Sequence, residues 1–230
     1  MIGIIGAMDE EVNKLKAAMS DVEIKSFSSL NFYSGTISGH SVVVVRAGIG
    51  KVNAAMCTQL LIDKYEVRAV INTGIAGSLN KDINIGDIVL STDALEHDMD
   101  AVAFGYPLGQ IPRMDTLSFT ADEKLRKAAK QACDKVLPEL SVFEGRVVSG
   151  DQFISDSNKK DWLVENFGGF CTEMEGASIA HVCYLNKVPF LIIRAISDKA
   201  DNSAHMDYPA FEAMAIDNSI ALMKELVTRI

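Results

Sequence analysis

Phe190-Leu191-Ile192-Ile193-Arg194-Ala195-Ile196-Ser197-Asp198 is apolar almost throughout and closes on an acid. A strand of that composition is covered on both faces, the condition of a sheet held between helices. Working outward, Phe170 to Glu173 reads as a strand and Gly176 to Asn186 as a helix, and the same alternation runs back to the amino terminus. Ile2 to Ile5, Ala69 to Thr73, Gly86 to Ser91 and Gly145 to Ser149 are further strands. Helices are expected over Asp9 to Met19, from the turn Ile49-Gly50-Lys51 to Lys64, over Ala121 to Val136, from Asp156, and from Tyr208. Asn31 to Ser38 and Ser41 to Ala47 are joined by Ser38-Gly39-His40, too short for a crossover, so this pair is an antiparallel hairpin and the sheet is mixed. The expected fold is α/β, three-layered α/β/α around a central mixed twisted sheet. No linker or repeat interrupts residues 1–230, which read as one domain. The one long loop, Asp100 to Asp115, holds Gly105, Pro107, Gly109 and Pro112, and loops of that length are usually functional or mobile.

A chain of 230 residues buries about 70% of its unfolded surface and needs no disulfide staple. Its net charge of -9 argues against a nucleic-acid or anionic-membrane partner and fits a small neutral or cationic ligand. No apolar stretch approaches the roughly 18 residues of a membrane span. Cys57, Cys133, Cys171 and Cys183 form no C-x-x-C pair and sit in apolar runs, and no basic leader precedes Asp9, so a reduced, cytoplasmic protein is expected.

Chemistry concentrates at strand ends. Glu173 and Glu175 are two residues apart and share one face of an extended segment, where their repulsion needs a compensating charge that Arg194 is placed to give. Asp198 is either a local cap or a proton donor. Asp9 and Glu10 suit the start of a helix, while Glu11 is able to turn inward. Gly48-Ile49-Gly50 and Gly74-Ile75-Ala76-Gly77 are glycine turns after apolar strands; neither matches a dinucleotide or P-loop fingerprint, and each reads equally as a plain turn or a binding loop. The four histidines do not cluster at metal-ligand spacing, and no nucleophile motif is present, so no cofactor or metal is expected. Met8, Met174, Met206, Phe104, Phe153 and Tyr208 neighbour the acids, consistent with core packing and equally with a partly apolar pocket.

These residues carry a family resemblance that runs nearly end to end. Ile2-Gly3-Ile4-Ile5-Gly6-Ala7-Met8, Gly48 to Ala55, Ile71-Asn72-Thr73-Gly74, His97-Asp98, Ala103-Phe104-Gly105-Tyr106, Val148-Ser149-Gly150-Asp151, Phe153-Ile154, Glu173-Met174-Glu175 and Arg194 to Asp198 resemble the bacterial 5′-methylthioadenosine/S-adenosylhomocysteine nucleosidases. Those belong among the purine nucleoside phosphorylases and nucleosidases. The resemblance implies a nucleoside phosphorylase-like fold, a homodimer, and hydrolysis of the adenine–ribose bond. It implies Asp198 as the acid toward adenine N7, Glu11 as the base for water, and Glu175 on the ribose hydroxyls. Arg194 and Glu173 would fix the water and Glu11, Phe153 would stack on adenine, the backbone of Ile154 would read its edge, and Ser197 would support Asp198. The 5′-thio tail would rest on Met8, Ile49, Met174 and Tyr208, with Phe104 and Pro112 from a neighbouring subunit. The chain departs from the family pattern at Ile75, Ala101 and Tyr208. Competing readings are a phosphorolytic transferase of the same fold, which needs arginines for a phosphate dianion, and a nucleoside-binding domain without catalysis.

Overall fold

The computed structural model describes residues 1–230, the side chain of Met206 excepted, so the expectation for Met206 lies outside the described residues. Ten strands form one mixed sheet: β1 (Ile2–Gly6), β2 (Ser20–Phe27), β3 (Leu30–Ile37), β4 (His40–Arg46), β5 (Ala69–Ser78), β6 (Ile88–Glu96), β7 (Phe119–Thr120), β8 (Val142–Ser149), β9 (Cys171–Glu173) and β10 (Phe190–Asp198). The helices are α1 (Asp9–Ala17), α2 (Lys51–Tyr65), α3 (Glu123–Val136), α4 (Ser157–Phe167), α5 (Gly176–Asn186) and α6 (Ala204–Leu226).

Every residue of β10 is buried, as its apolarity requires. It runs parallel to β5 on one side and antiparallel to β6 on the other. From β6 the sheet continues through β8 and β9 back to β5, so five strands close into a ring. Beyond β5 it opens out through β1, β4, β3 and β2, the last three an antiparallel meander. Two groups of helices flank it, α1 and α3 packing on α6, and α2 packing on α5. Among the described residues no helix is long and apolar enough to cross a membrane.

Three differences from the sequence reading have physical causes. β2 is exposed almost throughout, so it has no buried face to leave an alternating pattern. β5 does not end at Thr73: Gly74-Ile75-Ala76-Gly77 is not a turn but continues the strand, because ring closure supplies β10 and β9 as hydrogen-bonding neighbours. β6 extends to Glu96 for the same reason, paired with β8, and α6 starts at Ala204, four residues before Tyr208.

Candidate active site

The ends of β1, β5, β9 and β10 meet at one cavity of about 450 Å3. It is lined by Ala7, Met8, Glu11, Ile49, Ile75, Ala76, Gly77, Phe153, Thr172, Glu173, Met174, Glu175, Ser197, Asp198 and Tyr208. Four of these are carboxylates, and none is a lysine or arginine.

Glu11 is the third residue of α1 and folds back over the helix start. Its carboxylate accepts from the N–H groups of Ala7 (2.6 Å) and Met8 (3.0 Å), and across the cavity from Ile75 (3.3 Å). Burial still raises its pKa, against the opposing pull of Arg194 and the three N–H groups. Asp9 and Glu10 stay exposed at the helix start. Gly74 makes this arrangement fit, since a Cβ there would lie 2.4 Å from Arg194 Nη1 and 2.5 Å from Glu11 Oε1.

Arg194 is 2% exposed in mid-strand. Its Nη2 donates to Asn72 Oδ1 (2.6 Å) and to Glu173, and stands 3.9 Å from Glu175. Glu173 spends its other bonds on structure: it accepts from the N–H groups of Glu175 (3.1 Å) and Gly176 (2.8 Å), which open α5, and from the Ser149 hydroxyl. Arg194 therefore compensates the acids as expected, but the acids do not share an extended strand. β9 ends at Glu173, and Glu175 is the N-cap of α5. That turn frees Glu175 to face the cavity, where it accepts from Gly50 N–H at 2.8 Å. Burial raises its pKa, reinforced by the charge of Glu173 and opposed by Arg194.

β10 gains one residue against β5 between Ile196 and Asp198. A bulge of this kind re-aims side chains beside a site, and here both Ser197 and Asp198 line the cavity. Asp198 Oδ2 accepts from Ser197 Oγ (2.9 Å), and Oδ1 accepts from Ala200 N–H (2.8 Å). The second contact is the local cap foreseen from the sequence, so the cap and the cavity-facing acid are one residue. Burial raises the pKa of Asp198.

One wall is apolar. Phe153 stands edge-on to Tyr208, ring centroids 5.9 Å apart, and the Tyr208 hydroxyl donates to Glu212 (3.0 Å) beside the Met8 sulfur. Ile154 is buried and borders a recess of about 40 Å3 adjoining the main cavity. A proton acceptor, a buried acid, a hydroxyl-binding carboxylate and an aromatic wall around a water-sized gap form a set suited to cleaving a bond with cationic character.

Residues 1–228 match the family model described as the phosphorylase superfamily. The chain belongs to that superfamily. Within it, the chain is 41% identical over 230 residues to a 5′-methylthioadenosine/S-adenosylhomocysteine nucleosidase of Exiguobacterium, covering 100% of this chain and 98% of the relative. The Staphylococcus carnosus nucleosidase is 42% identical over 228 residues, 99% of each chain. The nucleosidase of Neisseria meningitidis, solved with methylthio-immucillin-A, superposes with TM-score 0.95 at 38% identity, covering 100% of this chain and 99% of that one. A futalosine hydrolase of Helicobacter pylori superposes at TM-score 0.94 and 35% identity, covering 100% and 97%.

Against the superfamily resemblance read from the sequence, ten of the expected site residues line the cavity and Ile154 adjoins it. Arg194 lies behind it, reached through Glu173. Phe104 and Pro112 are not brought to the cavity: Phe104 is 85% exposed and Pro112 is exposed as well. Asn72, Gly74, Ser149 and Thr172 were not singled out. Asn72 had a signal, a lone amide inside an apolar strand, which is affordable only with a buried partner.

Proposed function

We infer that this protein is an N-glycosyl hydrolase that cleaves 5′-methylthioadenosine and S-adenosylhomocysteine to adenine and a 5′-thio-substituted ribose. The observation that carries this is the cavity lining of four carboxylates and no cation. Departure of adenine leaves an oxocarbenium-like ribosyl group, which negative walls stabilise. The same walls repel a phosphate dianion, and Arg194 is engaged by Asn72 and Glu173, so a phosphorolytic nucleophile has no seat. Water is the remaining nucleophile.

The roles follow from position. Glu11, held by three N–H groups and raised in pKa, takes the proton of the water. Asp198, also raised, gives a proton to the departing base at N7. Glu175 holds the ribose hydroxyls, and Glu173 with Arg194 keeps Glu11 and the water in place. Phe153 covers the base, the Ile154 backbone meets its edge, and Met8, Ile49, Met174 and Tyr208 receive the 5′-thio tail. No group beyond water and these residues is needed.

Residues 1–230 act as one nucleosidase domain and work as a homodimer, with Phe104 and Pro112 closing the tail pocket of the neighbouring copy. Support comes from the exposure of Phe104 on the turn Val102–Phe104 and of Val52 and Leu185, 79% and 63% exposed. Four buried free thiols fit a cytoplasmic protein of methionine salvage. The deciding experiment is incubation with methylthioadenosine in phosphate-free buffer. Adenine should appear at full rate, and added phosphate should not increase it. Release that depends on phosphate would mean a phosphorylase, and no release would mean a binder.

A further inference from the structure

Thr172 occupies the middle of β9 and is 5% exposed, and its side chain borders both the main cavity and the recess beside Ile154. Its hydroxyl oxygen is shut off from solvent and has no hydrogen-bond partner among the described residues. The neighbouring hydroxyls of Ser149 and Ser197 are both paired. A buried hydroxyl left unpaired is costly, and valine would fill the same volume without that cost.

The sheet register gives the hydroxyl a direction. Gly77 of β5 is paired with Asp198 on one side and Thr172 on the other, so the three form a row across adjacent strands. Paired residues project to the same face. A Cβ on Gly77 would lie 2.7 Å from Asp198 Oδ1, so the bare backbone there keeps the floor between the two side chains flat. Asp198 and Thr172 stand two strand spacings apart, roughly 9 to 10 Å between backbones. A planar bicyclic base spans that gap. With its five-membered ring at Asp198, its six-membered ring points toward Thr172. Rotation about Cα–Cβ exchanges the hydroxyl and methyl of threonine within nearly the same volume, so the hydroxyl turns to the base with little repacking.

We propose that Thr172 is a base-recognition residue, its hydroxyl donating a hydrogen bond to a ring nitrogen of the six-membered ring of adenine. The assignment rests on the nucleosidase reading above. It adds a side-chain contact at the edge of the base opposite Asp198, and it selects bases that present an acceptor there.

The test is calorimetric binding of adenine, 1-deazaadenine and 3-deazaadenine to the wild type, Thr172→Val and Thr172→Ser. Thr172→Val should bind adenine about 5- to 10-fold more weakly, the size of one hydrogen bond, with an unchanged melting temperature. Thr172→Ser should stay within about twofold of the wild type. The valine deficit should vanish for the analogue lacking the contacted nitrogen and persist for the other, which a purely structural role would not produce. Equal adenine affinity in wild type and Thr172→Val, an equal deficit for all three ligands, or a serine variant as weak as valine would overturn the assignment. A wild type that binds none of the three would overturn the nucleosidase reading with it.

Discussion

Asp198 and Glu11 are raised in pKa by the same cause, burial, yet the roles assigned to them require opposite protonation states. Asp198 must be protonated to act, so its titration sets the alkaline fall of activity; Glu11 must be ionised, so it sets the acid rise. Asp198→Asn should lower kcat by about 100-fold on methylthioadenosine. On a 5′-thio riboside with a p-nitrophenolate leaving group, which needs no proton, it should keep most of its activity while Glu11→Gln does not. Equal losses on that substrate would refute the division of labour. Stability carries a matching signature. An acid whose folded pKa is raised stabilises the fold fully below its unfolded value, near 3.9, and that contribution is lost as pH rises through the folded value. The wild-type melting temperature should therefore fall more steeply than that of Asp198→Asn as pH rises above about 4; parallel curves would count against a raised pKa. Gly74 offers a steric test of the same pair. Gly74→Ala pushes a methyl between Arg194 and Glu11 and should cost about 1 to 3 kcal/mol of stability. Its kcat should fall at least tenfold, because misplacing a base by an ångström costs more than the packing strain. Full activity in that variant would show that Glu11 does not need its present position.

At the scale of the element, β10 does two jobs with one irregularity. The bulge brings Ser197 and Asp198 to the cavity together, and the Ser197 hydroxyl donates to the Asp198 carboxylate. That bond favours the ionised acid and pulls its pKa down against burial. Ser197→Ala should therefore raise the pKa of Asp198 further and move the alkaline limb of kcat/KM up by about half a pH unit. A shift to lower pH would refute the supporting role of Ser197. Most of this was legible in the sequence. The burial of β10, the mixed sheet, and the convergence of Glu11, Glu173, Glu175 and Asp198 follow from apolar runs that end in acids. The bulge was not legible, because one extra residue changes neither composition nor period. β2 was missed since an exposed edge strand leaves no buried face to read, and Gly74 to Gly77 passed for a turn because glycine marks turns and close approaches alike. Thr172 and Ser149 escaped notice because their meaning lies in partners, present or absent, that only the register of β5, β8 and β9 brings near.

At the scale of the whole molecule, the cavity of one chain is short of two expected walls, Phe104 and Pro112, both turned outward. If a second copy supplies them, each site contains acids from one chain and Phe104 from the other. Light scattering at micromolar concentration should then give a dimer, and Phe104→Ala should raise KM by about tenfold with kcat little changed, since one apolar tail contact is lost. Complementation makes the argument stronger. Asp198→Asn is inactive on methylthioadenosine but carries a normal Phe104; Phe104→Ala has intact acids but lacks the wall. In a mixed dimer, one site combines the acids of the second with the Phe104 of the first and is wild-type throughout, while the other site holds both defects. When the two variants are mixed in equal amounts and allowed to exchange subunits, roughly half of the dimers are mixed. A component with wild-type KM should appear as exchange proceeds. Kinetics that stay the sum of the two separate variants after exchange, measured by mass, is complete would mean that each chain builds its site alone.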